Sequence, residues 1–179
     1  FMATVSKVLE SAAKYRKPVL LLDRPNPLRG DVMGGPVVRT AYQSLEGYHL
    51  VPIRHGLTIG EYALMVNEMG WLKDLARADL TIVPLSNWQR TMWLDDTGIT
   101  LPSMLPDVQE VESLLAYMGM YIFKGTNLNI GHGTDQPFFR IGAPWISGTI
   151  LWKKVQALDL PGVRFHQIRY KPQAIHNAE

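Results

Sequence analysis

Apolar and polar positions along the chain follow a repeated order of helix, short apolar run and polar loop. Residues 3–17 place apolar side chains at helical spacing, and Pro18 ends the predicted helix. The run VLLL (19–22) then has the continuous apolar pattern of a strand that is buried on both faces. This order predicts a piece of an α/β sheet.

The same order recurs further along the chain. Thr58 and Glu61 have the spacing of a capping box at the start of a helix predicted over 58–72, and 80–84 reads as a second buried strand. The later pattern predicts a helix over 107–119, a strand over 121–125, a helix over 147–162 and an edge strand over 163–172.

A polar loop follows each of the three predicted inner strands. The loops are DRPNPLRGD (23–31), the segment 86–98 and the segment 126–137. Ligands of open α/β sheets bind outside the carboxyl ends of the strands. We therefore expect a binding site that is formed by these loops.

Composition excludes several classes of function. Apolar residues make up 46% of the 179 residues, as in ordinary globular proteins, and 18 basic residues face 16 acidic ones without a basic block. The overall charge therefore does not indicate that the protein binds nucleic acid. Without cysteine there is no disulfide, thiol nucleophile or Cys-based zinc site. No apolar run approaches the ~18 residues of a membrane span.

The first loop carries Asp23, Arg24 and Asn26, and its two prolines fix the backbone. Asp23 and Asn26 are residue types that hydrogen-bond nearby backbone groups, which gives them a structural interpretation. The functional interpretation is that all three side chains point at a polar ligand. The loop alone leaves both interpretations open.

The second loop combines aromatic and charged residues. Trp88, Arg90, Trp93 and Asp96 are typical of a surface that contacts sugars, because indole faces stack on sugar rings while charged groups bind hydroxyls. The alternative is that Trp93 lies in the core and that the aspartates cap a turn. No set of ligands at metal-binding spacing is present, so we expect neither a metal nor another cofactor.

The third loop is rich in glycine, and it includes Gly131, His132 and Gly133. It lacks the Gly-Lys-Ser/Thr ending of a phosphate-binding loop. His132 is a candidate acid or base, or simply a surface residue. A fourth candidate group consists of Arg54-His55-Gly56 and Glu61, where Glu61 either caps its helix or contacts a ligand.

Four long motifs resemble one family in the same order. They are DRPNPLRGDVMGGP (23–36), IRHGLTIGEYALMVNE (53–68), DLTIVPLSNWQRTMWLDDTG (79–98) and GTNLNIGHGTDQPFFRIGAPWI (125–146). Together they cover most of the chain and resemble the DUF1343 proteins, the exo-β-N-acetylmuramidases called NamZ.

The resemblance implies a hydrolase of peptidoglycan that releases N-acetylmuramic acid from non-reducing ends and is secreted or periplasmic. It also implies a Rossmann-like three-layer sheet segment in 1–98, followed by part of a smaller α/β domain in 99–179. Family proteins are about twice this length. Because translation does not start at Phe1, we expect the sequence to begin at a processing or cloning junction or inside a longer protein.

The sequence departs from the family pattern at three single positions and in the stretch PSMLP (102–106), which is shortened. Gly34 and Lys124 stand where the family usually has glutamates, and His132 replaces an arginine. Glycoside hydrolysis generally uses two carboxyl groups, so these losses bear on the mechanism. Our catalytic candidates are Glu61, Asp96 and His132. Our substrate-binding candidates are Asp23, Arg24, Asn26, His55, Trp88, Arg90, Lys124, Asn127 and Thr134.

Three hypotheses follow for the function. The first is a glycosidase that acts on muramic acid-containing glycans. The second is a protein that binds muropeptides or sugars without cleaving them, in which Lys124 pairs with the lactyl carboxylate of muramic acid. The third is a fragment that associates with itself or with missing segments, because a chain that starts inside a domain leaves strand edges and apolar faces uncovered.

Overall fold

The computed structural model describes residues 1–100, 107–108 and 110–173. In this part of the chain the helices are α1 (Met2–Tyr15), α2 (Ile59–Glu68), α3 (Val111–Met120) and α4 (Gly148–Gln156), and the strands are β1 (Val19–Leu22), β2 (Gly34–Val37), β3 (Pro52–Arg54) and β4 (Leu80–Val83). The chain divides into two units, Phe1–Leu101 and Pro102–Glu179. The sequence-based division into 1–98 and 99–179 stays a prediction.

The first unit is built on the parallel pair of β1 and β4. The pair runs in register from Val19 opposite Leu80 to Leu22 opposite Val83. Helices α1 and α2 pack against one face of this pair, and the core contains Leu9, Ala12, Tyr62, Ala63, Val66, Leu72 and Ala78. Parallel strands with packed helices confirm the predicted α/β class.

One part of the strand prediction is wrong. The sequence predicted β1 and β4 to be buried strands, but Leu20 and Leu22 of β1 are 65% and 67% exposed, and Thr81 and Val83 of β4 are exposed as well. The reason is that the helices described in the first unit cover only the face that carries Val19 and Leu21.

The start of α2 follows the predicted capping box. The Thr58 hydroxyl accepts the Glu61 N–H at 3.1 Å, and the Glu61 carboxylate accepts the Thr58 N–H at 3.0 Å. Asp23, just beyond β1, adds a second cap because its carboxylate accepts the Gly60 N–H at 2.7 Å and the Thr58 hydroxyl at 2.8 Å. A Cβ at position 60 would lie 2.7 Å from the Asp23 carboxyl carbon, so this approach requires glycine. Strand β1 and helix α2 are thus joined at one edge of the sheet.

A short antiparallel pair, β2 with β3, was not predicted from the sequence. Gly34 lies opposite Arg54 and Val37 lies opposite Pro52, with a register irregularity between them. The segment GGPV carries neither alternating polarity nor β-branched residues until its last position, which is why the pattern gave no strand signal.

A buried polar network joins α1, α2 and the segment that precedes β3. The fully buried Ser6 hydroxyl lies 2.9 Å from the Tyr62 hydroxyl and 3.0 Å from His49 Nε2. Beside it, the Tyr48 hydroxyl donates to the Glu10 carboxylate at 3.0 Å. Burial lowers the pKa of His49, while the Glu10 charge raises it to a smaller extent.

The second unit contradicts one predicted strand. Residues 121–125 were expected to be extended, but Tyr121–Phe123 form a 3₁₀ turn that continues α3. The Lys124 N–H bonds to the Tyr121 carbonyl at 3.0 Å, and the Tyr121 ring packs edge-on against Tyr117 one helical turn earlier. Local helical hydrogen bonds and ring contacts thus override the strand preference of the aromatic residues.

The last predicted strand, 163–172, is also wrong. No strand is assigned there among the described residues, and most of its side chains are exposed. The Phe165 carbonyl instead accepts hydrogen bonds from the Trp152 indole and the Gln156 amide of α4, each at 3.0 Å. Helix α4 itself begins after Ser147 as predicted but ends at Gln156, before Pro161.

No helix in the described ranges has the length and apolar character that crossing a membrane requires.

The network around His49 predicts a loss of stability in mild acid. Since burial lowers the pKa of His49, the unfolded chain binds a proton near pH ~6.5 that the folded chain does not. The contribution of neutral His49 to the free energy of unfolding is therefore fully present above this pH and decreases as the pH falls below it. Urea unfolding at pH 7.5 and 5.5 should show this fall.

The same measurement on His49→Gln should show a smaller fall, and the remainder comes from His55, whose pKa burial also lowers. The exposed His166 serves as the matched control, so His166→Gln should keep the fall seen in the original protein. An unchanged pH dependence in His49→Gln would contradict this assignment.

Because Asp23 caps the N-terminus of α2 together with Thr58, replacing Asp23 should destabilise the fold. Asp23→Ala removes the acceptor of three hydrogen bonds at a helix N-terminus, and it should lower the free energy of unfolding by about 2–3 kcal/mol. Asp79→Ala, an exposed aspartate at the other end of the sheet, should change it by less than ~0.5 kcal/mol. Equal effects in the two variants would show that the Asp23 cap does not support the fold.

Candidate functional site

The carboxyl ends of β1 and β4 meet at one edge of the sheet because the two strands are parallel and in register. The polar loops after both strands and the N-terminus of α2 lie at this edge. They are joined by a backbone bond from the Gly30 N–H to the Arg90 carbonyl at 2.7 Å and by another from the Leu94 N–H to the Pro27 carbonyl at 3.3 Å. Two of the three predicted site loops are therefore in contact.

The first loop is held by its own polar side chains. Asn26 is buried, and its amide donates to the Leu57 carbonyl at 2.9 Å and accepts the Leu28 N–H at 2.9 Å. Asp23 accepts the Arg24 N–H as well as the α2 contacts. The structural interpretation accounts for the contacts of Asp23 and Asn26, whereas the Arg24 side chain is exposed.

Arg90 connects three segments of this edge. Its guanidinium donates to the Gly30 carbonyl at 3.0 Å and to the Gly56 carbonyl at 3.2 Å, and it forms an ion pair with Glu61. Both Glu61 oxygens are therefore engaged, one by the α2 cap and the other by Arg90. In this arrangement Arg90 positions Glu61 relative to the first loop.

The tryptophans of the second loop have separate roles. Trp88 is half-buried against Gly30, where a Cβ would meet its ring at 2.7 Å. Its indole nitrogen is buried without a hydrogen-bond partner among the described residues. Trp93 is half-buried near two guanidinium groups, those of Arg29 at 5.8 Å and Arg54 at 5.6 Å from its ring centroid. Both contacts fall within cation–π range.

Two further predicted residues lie at this edge. His55 is half-buried, its Nδ1 accepts the Leu57 N–H at 3.1 Å, and burial lowers its pKa. These contacts place the proton of the neutral ring on Nε2. The Asp96 carboxylate accepts the Trp93 N–H at 2.8 Å, as expected of a residue that caps a turn.

The other four predicted residues belong to the second unit. His132 Nδ1 lies 2.7 Å from the Asp107 carboxylate, and its ring packs edge-on against Phe138. The Lys124 ammonium donates to the Tyr121 hydroxyl at 2.9 Å. In the same loop, the Thr134 hydroxyl donates to the Gly131 carbonyl at 2.7 Å, while Asn127 is exposed. This loop follows a 3₁₀ turn, so it is not a strand-end loop as predicted.

Two groups at these sites were not predicted from the sequence. Arg29 adopts a left-handed backbone (φ 69°) and forms a paired contact with Asp31 at 2.9 and 2.6 Å. Asp107 is the partner of His132 and lies 25 residues before it, a separation that carries no local signal. The Arg29–Asp31 pair could have been predicted, because the sequence places opposite charges directly before and after Gly30.

The described residues of the site offer hydrogen-bonding and charged groups but no set of metal ligands. No group of three or more His, Asp or Glu side chains in the described part of the chain is arranged to hold a metal ion. Chemically, the edge provides an ion-paired carboxylate, an exposed carboxylate, neutral imidazole and several guanidinium groups beside an indole. This set suits the recognition of a polar, hydroxyl-rich molecule.

Comparison with known proteins gives matches over nearly the whole chain. The model of the family described as exo-β-N-acetylmuramidase NamZ, N-terminal, matches residues 1–112, and its C-terminal counterpart matches 115–179. The peptidoglycan β-N-acetylmuramidase NamZ of Bacillus subtilis (strain 168) is 37% identical over 172 residues. The match covers 96% of this chain and 41% of that protein, so the chain spans less than half of the curated relative.

Solved structures agree with this result. Two crystal structures of DUF1343 family proteins from Bacteroides fragilis NCTC 9343 match with TM-scores of 0.90 and 0.75, each at 32% identity. They cover 96% and 82% of this chain, and the matches span 44% and 40% of those proteins. Family models and solved structures thus agree over both units, and the chain belongs to the NamZ family.

Proposed function

We propose that the protein is a glycoside hydrolase that acts on peptidoglycan and releases N-acetylmuramic acid from non-reducing ends. The observation that carries the proposal is the 37% identity to a peptidoglycan β-N-acetylmuramidase, which extends over 96% of the chain. The polar edge of the first unit, with its indole, guanidinium and carboxylate groups, supports a glycan as the substrate. The alternative of a binding protein without activity is not favoured by these comparisons.

The chemistry requires carboxyl groups beside the scissile bond. Glu61 is in an ion pair with Arg90, which suits a carboxylate that faces developing positive charge. Asp96 is exposed and uses one oxygen for the Trp93 N–H. In our proposal Asp96 acts on the substrate directly, and His132 of the second unit, oriented by Asp107, is a further acid or base candidate.

Peptidoglycan lies outside the cytoplasmic membrane, so the proposal includes a secreted or periplasmic location. Association of this chain with itself or with further segments is a second part of the proposal. The exposed Leu20 and Leu22 on the open face of β1 support it. Cell fractionation and light scattering test these two points separately from the activity.

The activity itself predicts a clear product. The full-length protein should release free N-acetylmuramic acid from a glycan whose non-reducing end is N-acetylmuramic acid, as measured by chromatography. A glycan that ends in N-acetylglucosamine serves as the control and should stay intact. Binding of the first glycan without release of sugar would contradict hydrolysis and support the binding alternative.

Asp96→Asn should lower kcat by roughly 10²–10⁴-fold, since an amide cannot exchange a proton with the substrate. The amide oxygen still accepts the Trp93 N–H, so the fold should be unchanged. Asp79→Asn, on an exposed residue at the opposite end of β4, is the matched control and should leave kcat unaltered. Equal kcat values in Asp96→Asn and the original protein would remove Asp96 from the mechanism.

Substitution of Arg90 should lower both the stability and the activity of the protein. Arg90→Lys keeps the charge but loses the planar fork that reaches two carbonyls and Glu61 at once. We expect the free energy of unfolding to fall by about 1–3 kcal/mol and kcat to fall with it. Arg77→Lys, in an exposed pair with Glu68, should change neither quantity appreciably. A stable Arg90→Lys variant with full activity would show that Arg90 does not position the site.

A further inference from the structure

Three arginine side chains occupy half-exposed positions at the edge of the first unit, and their charges are balanced differently. Arg29 forms a paired contact with Asp31, and Arg90 forms an ion pair with Glu61. Arg54 has no carboxylate within ion-pair distance among the described residues. The pKa of Asp31 is lowered mainly by its hydrogen bond to Arg29 and to a smaller extent by the charge of Arg54. Arg54 thus faces a carboxylate that is already paired with Arg29, and it has no ion-pair partner of its own among the described residues.

The backbone and the indole fix the position of Arg54. Its Nε and Nη2 donate to the Leu28 carbonyl at 3.2 and 2.6 Å, and the guanidinium lies 5.6 Å from the Trp93 ring centroid. A carbonyl oxygen is a hydrogen-bond acceptor but carries no net charge. Arg54 is therefore oriented without a direct ion pair, and its Nη1 makes no hydrogen bond to the described residues.

The residue across the sheet does not supply the missing charge. In the β2–β3 pair, Gly34 lies directly opposite Arg54. Side chains of directly opposed residues in an antiparallel pair lie on the same face. Gly34 has no side chain, and a Cβ built there meets nothing within 4 Å. Open space thus lies at the position from which a neighbouring strand would provide a carboxylate.

We propose that Arg54, supported by Trp93, binds the carboxylate of an acidic sugar and determines the specificity of this site. The proposal rests on the proposed function and names the substrate group that the site selects, the lactyl carboxylate of N-acetylmuramic acid. A guanidinium that is already oriented binds a planar carboxylate with two parallel hydrogen bonds at low entropic cost. Trp93 offers an apolar surface beside it for the sugar ring.

Two other cations compete for this role. Arg24 is exposed, and no contact with the described residues holds its side chain in place, so it lacks the preorganisation of Arg54. Lys124, which the sequence suggested for the lactyl carboxylate, lies in the second unit and contacts Tyr121. Both enter the experiment as alternatives.

The test compares two forms of one substrate. The non-reducing muramic acid of a soluble glycan is used as the free acid or as the methyl ester, and kcat/KM is measured for both with the full-length protein. The ratio of the two values is independent of how much of each variant is folded. The original protein should prefer the acid, and Arg54→Gln should lower this preference by about 10–100-fold, the range for a hydrogen bond to a charged group.

Gly34→Glu provides a second, independent variant. It places a carboxylate opposite Arg54, where the backbone and the open space accept a side chain. This carboxylate competes with the substrate, so the acid preference should fall as in Arg54→Gln. Gly34→Gln has nearly the same size without the charge and should keep the preference. Arg77→Gln, which alters the exposed partner of Glu68, is the matched arginine control and should also keep it.

The outcomes separate this inference from the proposed function. Hydrolysis of acid and ester at equal rates, or an acid preference that disappears in Arg24→Gln or Lys124→Ala but persists in Arg54→Gln, would overturn the role of Arg54. If no glycan is cleaved, the proposed hydrolase activity fails. Calorimetry with N-acetylmuramic acid and its methyl ester then decides the inference, since acid-selective binding that Arg54→Gln removes supports it and equal or absent binding contradicts it.

Discussion

The candidate site depends on the carboxylate of Asp23, which joins the end of β1 to the start of α2. A helix N-terminus presents unpaired N–H groups and a partial positive charge, and a carboxylate placed there satisfies both. Because Gly60 has no side chain, the helix approaches Asp23 closely enough for a 2.7 Å hydrogen bond. The position of Glu61, one residue further along the helix, follows from this contact.

The same edge divides its residues between architecture and recognition. Asn26 and Arg90 donate hydrogen bonds to backbone carbonyls of neighbouring loops and so tie these loops to one another. A site of this kind keeps its reactive and binding groups in place before the substrate arrives, so less free energy is lost on ordering them. The groups left for the ligand are the exposed Arg24 and Asp96 and the half-buried Arg54 with Trp93.

Local patterns were sufficient for the elements whose signals lie within the element. The capping box at Thr58 and the continuous apolar runs of β1 and β4 were enough to predict two strands of an α/β sheet and the helices that precede them. The segment 121–125 was misassigned because its aromatic residues favour strands, whereas contacts with the preceding helix keep it helical. Strand β2 was missed because its identity comes from pairing with β3, which no local pattern encodes.

The site was predictable as a place but not as a set of contacts. Polar loops after two apolar runs located the edge correctly, since strand ends of a parallel sheet converge. The sequence does not show which polar atoms the fold itself uses: Asp23 and Asn26 qualify equally as ligand-binding and as capping residues until their partners are seen. The pairing of His132 with Asp107 could not be predicted for the same reason. The two residues are 25 positions apart, and only the tertiary fold brings them together.

The departure at Gly34 acquires a physical meaning from the strand pairing. As a loss of a family carboxylate, it suggested loss of activity. In the structure its position lies opposite Arg54, so its consequence is electrostatic and local. A half-buried guanidinium without a direct ion pair is less favourable in the free protein than an ion-paired one, and a ligand carboxylate removes that deficit on binding. The missing glutamate therefore does not by itself argue against an active site, because the charge it leaves on Arg54 is one that an acidic sugar can satisfy.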